Sequence, residues 1–181
     1  PGAGPSFGSG YQGSKISPDL SKVASPWPQA IESMYSLVIT AITLQATLEI
    51  MNSLDLSQSL AELTIDVCNI ESVSGNEKTL ADLVENSLTL DHLEVIRDGN
   101  AVIAKTNLGR KKRIILAGHL DTVPVAENLP AQLMHFEREQ VVWGRGSVDM
   151  KGGVAVFLKL AAELREPKYD LTWIFYDQEE V

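Results

Sequence analysis

The chain has 181 residues, 44% of them hydrophobic, with a formal net charge of −9. That length and apolar content suffice for one domain with a real core. The acidity, spread along the chain, argues for a solvated exterior and against nucleic-acid binding, because phosphate backbones need a basic surface.

Residues 1–30 are rich in Gly, Pro and Ser and lack apolar periodicity, the composition of a disordered segment. They carry no basic region followed by an apolar core, so no signal peptide is expected. Residues 31–50 predict a marginal helix, its propensity lowered by Thr and Ile. The uncharged stretch from Ser33 to Leu48 is shorter than the ~20 residues of a membrane span, so no membrane insertion is expected. Globular patterning starts cleanly at Met51. Residues 1–50 are therefore expected to be a disordered or non-native extension, and residues 51–181 the domain proper.

From Leu54 to Ile70, apolar residues recur at helical spacing: Leu56, Leu60, Leu63, Ile65, Val67 and Ile70. Cys68, the single cysteine, reads as a small core residue; no disulfide is available, which fits a reducing cytoplasm. Ser72-Val73-Ser74-Gly75-Asn76-Glu77 breaks the helix with turn and cap chemistry, and a second amphipathic helix follows on Leu80, Leu83, Val84 and Leu88. Val95–Arg97 and Ala101–Ala104 flank Asp98-Gly99-Asn100, a hairpin signal. Arg113–Ala117 and Leu171–Tyr176 read as buried strands, Val141–Trp143 as a short strand, and Val154–Leu164 as a helix with Val154, Phe157, Leu158, Ala161 and Leu164 inward. Strands mixed with helices predict a three-layer α/β sandwich.

The chemistry concentrates behind two of these strands. His119 follows the first directly; Asp177, Gln178, Glu179 and Glu180 follow the second. Were the two strands parallel neighbours, these groups would converge outside the carboxyl edge of the sheet, where sites form in open α/β folds. His119 and Asp121 are two apart on an extended segment, so both can point the same way, with Asp121 as acceptor for the imidazole N–H that does not ligate. Asp149 lies in the glycine-rich run Gly144–Gly153, where a carboxylate can cap a helix or bridge two cations. That run lacks the Lys-Ser/Thr ending of a phosphate loop. Glu179 and Glu180 repel each other unless a cation or proton intervenes. One can ligate metal while the other takes a proton from water that the metal acidifies. His92 and His135, in polar surroundings, read as surface residues, and Met150 and Trp143 as packing.

Gly118-His119-Leu120-Asp121-Thr122-Val123-Pro124, Gly144-Arg145-Gly146-Ser147-Val148-Asp149-Met150-Lys151-Gly152 and Glu179-Glu180 together resemble, in order and spacing, the signatures of the di-zinc aminoacylase and carboxypeptidase superfamily. Ser72–Glu77 resembles its first turn. The resemblance spans Met51 to Val181 and implies an incomplete zinc-exopeptidase-like sandwich with a mixed, largely parallel sheet between helices. It implies two divalent cations, zinc or alternatively cobalt. His119 would bind one, Asp149 would bridge both and Glu180 would bind the other; Asp121 would orient His119 and Glu179 would be the general base. The substrate class implied is a small acyl-amino acid. The wording Ala117–Pro124 and Tyr176–Val181 is most similar to actinobacterial succinyl-diaminopimelate desuccinylases, which act in lysine and cell-wall precursor synthesis. Another deacylase or dipeptidase of the superfamily, or a non-catalytic interaction module on the same fold, are the alternatives. The resemblance further implies a later carboxylate ligand, a late histidine ligand and a homodimerising domain, none of them in these 181 residues. This chain alone is therefore expected to bind zinc poorly and to be inactive.

Overall fold

The computed structural model describes residues 29–181. The expected disorder of residues 1–30 thus falls, up to residue 28, outside the described residues. The chain divides into two compact units after Thr43. Helix α1 (Gln29–Met51) runs across that division and ends on the residue where globular patterning was expected to begin. It accommodates its threonines by back-bonding: the Thr40 and Thr43 hydroxyls each donate to the carbonyl four residues earlier at 2.8 Å. Its apolar side chains from Met34 to Ile42 are exposed. No helix among the described residues is long and apolar enough to cross a membrane.

In the second unit, helix α2 spans Leu60–Asn69. The helix expected from Leu54 starts six residues later, because Ser59 builds a capping box: its hydroxyl accepts from the Glu62 N–H at 3.3 Å, and Glu62 accepts from the Ser59 N–H at 3.0 Å. Upstream, the Asp55 carboxylate accepts from the Ser57 N–H at 2.9 Å and closes a turn instead. Helix α3 (Lys78–Ser87) buries Leu80 and Val84 as its periodicity predicts. Strands β1 (Glu94–Asp98) and β2 (Ala101–Lys105) form the expected hairpin, with Gly99 at φ +58° in its turn.

Strand β3 (Arg113–His119) and strand β6 (Asp170–Tyr176) complete a four-stranded sheet of order β1-β2-β6-β3. The β1–β2 and β2–β6 pairings are antiparallel, the β6–β3 pairing parallel. The sheet is therefore mixed and flanked by helices, an incomplete α/β fold. Strand β6 is buried as expected; β3 is not. Ile114 and Ile115 are 43% and 61% exposed, because β3 is the edge of the described sheet and its apolar run has no strand on its other side. Strands β4 (Gln132–Phe136) and β5 (Glu139–Trp143) form a separate two-stranded ribbon; only β5 was legible in advance.

Helix α4 (Lys151–Glu163) packs beside α2 and against β3. The core lies between these helices and one sheet face: Leu63, Val67, Val84, Val102, Leu158, Trp173 and Phe175 are all fully buried. Leu164, expected inward, is 36% exposed as the C-cap of α4. His92 is a second correction: its side chain is only 10% exposed, and Nε2 lies 2.9 Å from the Ala161 carbonyl, an orphan acceptor in the last turn of α4. His135 is exposed, as read. Cys68 is buried, and burial pushes its thiol pKa up, away from reactivity. The Asp170 carboxylate accepts from the Leu108 and Arg110 N–H groups, both at 2.8 Å, fixing where β6 begins. Because the Ser59 cap decides where α2 starts, Ser59→Ala should lower the unfolding free energy by about 1 kcal/mol, measured by urea denaturation with the slope unchanged.

Candidate metal centre

The parallel pairing of β3 with β6 ends at His119 opposite Tyr176, and the Leu120 N–H donates to the Tyr176 carbonyl at 2.7 Å. Both chains then leave the sheet at its carboxyl edge. His119, buried at the end of β3, meets Glu179 and Glu180 just beyond β6: one donor atom from each falls within 4.8 Å of the others. Asp149 comes from the loop between β5 and α4, and its Oδ1 lies 3.0 Å from His119 Nε2. The structure thus gathers His119, Glu179 and Glu180 into one group of donors from two strand ends, while Asp149, expected to bridge two cations, touches His119 but lies outside that group.

The donor set fits a divalent cation. Zinc–ligand bonds of about 2.0–2.2 Å hold donors at most about 4.4 Å apart, within reach of modest side-chain rotation here. Neither glutamate forms an ion pair with a Lys or Arg among the described residues, so two adjacent carboxylates lack a compensating positive charge. Both ring nitrogens of His119 face acceptors: Nε2 faces Asp149, and Nδ1 lies 3.0 Å from the Asp121 backbone carbonyl. Burial depresses the His119 pKa, but the contacts with Asp149 and Asp121 outweigh it and the net shift is upward. A second, metal-borne positive charge would suit the same surroundings with the imidazole neutral.

Asp121 is fully buried and sits differently from what its spacing suggested. Its carboxylate is 3.4 Å from His119 Nδ1, while its backbone carbonyl is closer. The carboxylate instead accepts from the Glu179 N–H at 3.1 Å, the Glu180 N–H at 2.9 Å and the Ser74 hydroxyl at 2.6 Å. Burial raises its pKa, and these three hydrogen bonds together bring it below the ordinary aspartate value.

The glycine-rich loop is held from below by Lys151, whose importance was not foreseen. Its side chain is 2% exposed, and Nζ donates to the Ile70 carbonyl at 2.7 Å and more distantly to that of Cys68, both at the C-terminus of α2. Burial lowers its pKa to about 8. The signal was present: Lys151 precedes Val154, Ala155 and Leu158 at helical spacing, a charge on an inward stripe. The loop turns through Gly146 at φ +77°, and a Cβ on Gly152 would lie 2.5 Å from the Ser147 carbonyl oxygen. Beside the centre opens a cleft of about 310 Å³, lined by Thr122, Arg145, Ser147, Asp149 and Glu180 among others.

The profile of Peptidase family M20/M25/M40 matches residues 115–181, the segment that carries His119, Asp149, Glu179 and Glu180. This part of the chain belongs to that family. Over 130 residues the chain is 52% identical to a Mycobacterium tuberculosis (strain ATCC 25618 / H37Rv) protein provisionally named succinyl-diaminopimelate desuccinylase DapE, covering 71% of this chain and 36% of that one. Over 139 residues it is 44% identical to the succinyl-diaminopimelate desuccinylase of Corynebacterium glutamicum, covering 74% and 37%. The chain thus spans a little over a third of the length of these curated relatives. The crystal structure of aminoacylhistidine dipeptidase from Vibrio alginolyticus superposes with a TM-score of 0.56 at 23% identity, over 67% of this chain and 28% of that one, which shows a shared fold.

Metal binding needs the neutral imidazole, and the raised His119 pKa keeps it protonated to higher pH than a free histidine. Zinc affinity should therefore fall as pH drops through that pKa, by roughly tenfold per pH unit below it. Calorimetric titrations between pH 5.5 and 8 in buffers of different ionisation enthalpy would show the proton released. Gly152→Ala must push the loop away from the Ser147 carbonyl. It should weaken zinc binding while leaving the far-UV spectrum unchanged.

Proposed function

We propose that the chain is the N-terminal part of a zinc-dependent amide hydrolase whose substrate is N-succinyl-LL-2,6-diaminopimelate, cleaved to succinate and LL-diaminopimelate in lysine biosynthesis. The observation that carries it is the convergence of His119, Glu179 and Glu180 at the carboxyl edge of the sheet, with Asp149 against the same imidazole. The 52% and 44% identities to desuccinylases support the substrate.

In this reading His119, Asp149 and Glu180 would hold the two zinc ions. When bound, the cations polarise the scissile carbonyl and acidify water. Glu179, exposed beside the cleft, takes the proton from the attacking water and delivers it to the leaving amine nitrogen, so amide and water become acid and amine. Asp121 keeps the imidazole and both glutamate backbones in place. Arg145 is the one basic residue lining the cleft, and its buried Nε has no hydrogen-bond partner. A cation so placed favours an anionic acyl group such as succinyl over a neutral acetyl group. We place the parent protein in the cytoplasm as a homodimer, and this chain alone turns over no substrate.

In the parent enzyme, zinc content by mass spectrometry should approach two per chain. Glu179→Ala there should reduce desuccinylation by at least about 10³-fold and leave the zinc in place. Loss of zinc in that variant would mean that Glu179, not Glu180, is the ligand. A measurable rate from the present chain, above a zinc-only control, would overturn its assignment as inactive.

A further inference from the structure

The turn Ser72–Glu77 lies outside the cluster of donors, yet it is bonded to the segment that follows His119. Val73 pairs with Thr122 as a parallel bridge just past the end of β3. The Ser74 N–H donates to the Thr122 carbonyl at 3.2 Å, the Thr122 N–H donates to the Ser72 carbonyl at 2.9 Å, and the Ser72 hydroxyl donates to the Leu120 carbonyl at 2.7 Å. The turn therefore acts as a short extra strand zipped onto the segment that carries Asp121.

Its other side is anchored just as firmly. The Glu77 carboxylate, fully buried, accepts from the Gly75 N–H at 2.7 Å and from the Asn100 side-chain amide at 3.4 Å. The Asn76 N–H donates to the Val73 carbonyl at 2.7 Å. Gly75 sits at φ +95°, a conformation that only glycine adopts without strain. These contacts leave the Ser74 hydroxyl little freedom, and it donates to Asp121 Oδ2 at 2.6 Å. That same oxygen accepts from the Glu180 N–H, and its twin Oδ1 accepts from the Glu179 N–H.

We propose that Ser74 is a positioning residue for the metal centre: it fixes the Asp121 carboxylate, which in turn sets the backbone of Glu179 and Glu180. The inference rests on the metal-centre reading above. The physical need is specific. Glu179 and Glu180 follow β6 on a segment with no strand pairing of its own, Gln178 has φ +60°, and the two carboxylates repel each other when no cation is bound. Only backbone hydrogen bonds to a fixed acceptor can hold them facing His119 in that state. An Asp121 carboxylate free to rotate would still be buried, but it would not hold both amides at once. Ser74, 47 residues before Asp121, removes that rotation, and Asp121 reaches 59 residues forward to Glu180.

The test compares the 181-residue chain with its Ser74→Ala and Ser74→Thr variants. Two readouts are taken: hydrogen exchange of the Glu179 and Glu180 amides without metal, and zinc affinity by chelator competition. Ser74→Ala should speed exchange of both amides roughly tenfold and weaken zinc binding by roughly tenfold or more. Ser74→Thr, which keeps the hydroxyl, should restore both. The Thr122 amide, bonded to the Ser72 carbonyl, should stay protected in all three and so report that the turn is still folded. Unchanged exchange and unchanged affinity in Ser74→Ala would overturn the proposal, as would loss of Thr122 protection accompanying every other effect. Absence of zinc from the parent enzyme would overturn the metal-centre reading instead, and the amide exchange alone would then decide the role of Ser74.

Discussion

Strand β3 lies parallel to β6 over seven residue pairs, from Arg113 opposite Asp170 to His119 opposite Tyr176. Everything at the carboxyl edge depends on that register. Parallel neighbours deliver both chain ends to the same side of the sheet, so an imidazole from one strand and carboxylates from the other arrive together. Slipping the register by one residue would turn His119 to the opposite face and break the alternation that buries Leu171, Trp173 and Phe175 on the helix side. The core and the centre are thus specified by the same pairing.

The electrostatics of the edge follow from what each carboxylate can find there. Asp121 finds two backbone N–H groups and a hydroxyl, and stays ionised although fully buried. Glu179 and Glu180 find no basic side chain, and remain at the surface where water can compensate. Asp149 finds His119 and raises its basicity. At this edge the buried acid is structural, and the two glutamates are left without a fixed positive partner among the described residues. That division of roles comes from solvation and hydrogen bonding rather than residue type.

The glycine-rich loop reaches the centre because α4 and α2 are clamped together beneath it. Lys151 gives the C-terminal carbonyls of α2 a charged donor, offsetting the helix dipole at the point where an uncapped end would otherwise be buried. Gly146 and Gly152 let the chain turn tightly enough above that clamp for Asp149 to extend toward His119. Without the buried ammonium the loop would rest on unsatisfied carbonyls.

Much of this was legible in the chain itself. The periodicity of α3 and α4, the Asp-Gly-Asn turn of the hairpin, the apolar run of β6 and the wide spacing of one histidine from its acids are local patterns, fixed by propensity and side-chain chemistry. Where α2 starts was also local, but hidden, because the Ser59–Glu62 cap competed with an apolar pattern that ran past it. Three things were decided only by the tertiary structure. An apolar run cannot say whether it lies at the centre or the edge of a sheet, so β3 turned out exposed where it had looked buried. The direction of the Asp121 carboxylate depended on where Ser74, Glu179 and Glu180 came to rest, dozens of residues away in either direction. The burial of Lys151 depended on α2 ending where it could receive the charge. Residue types and spacing set which groups could react with a cation; hydrogen bonds between distant segments set which of them are free to.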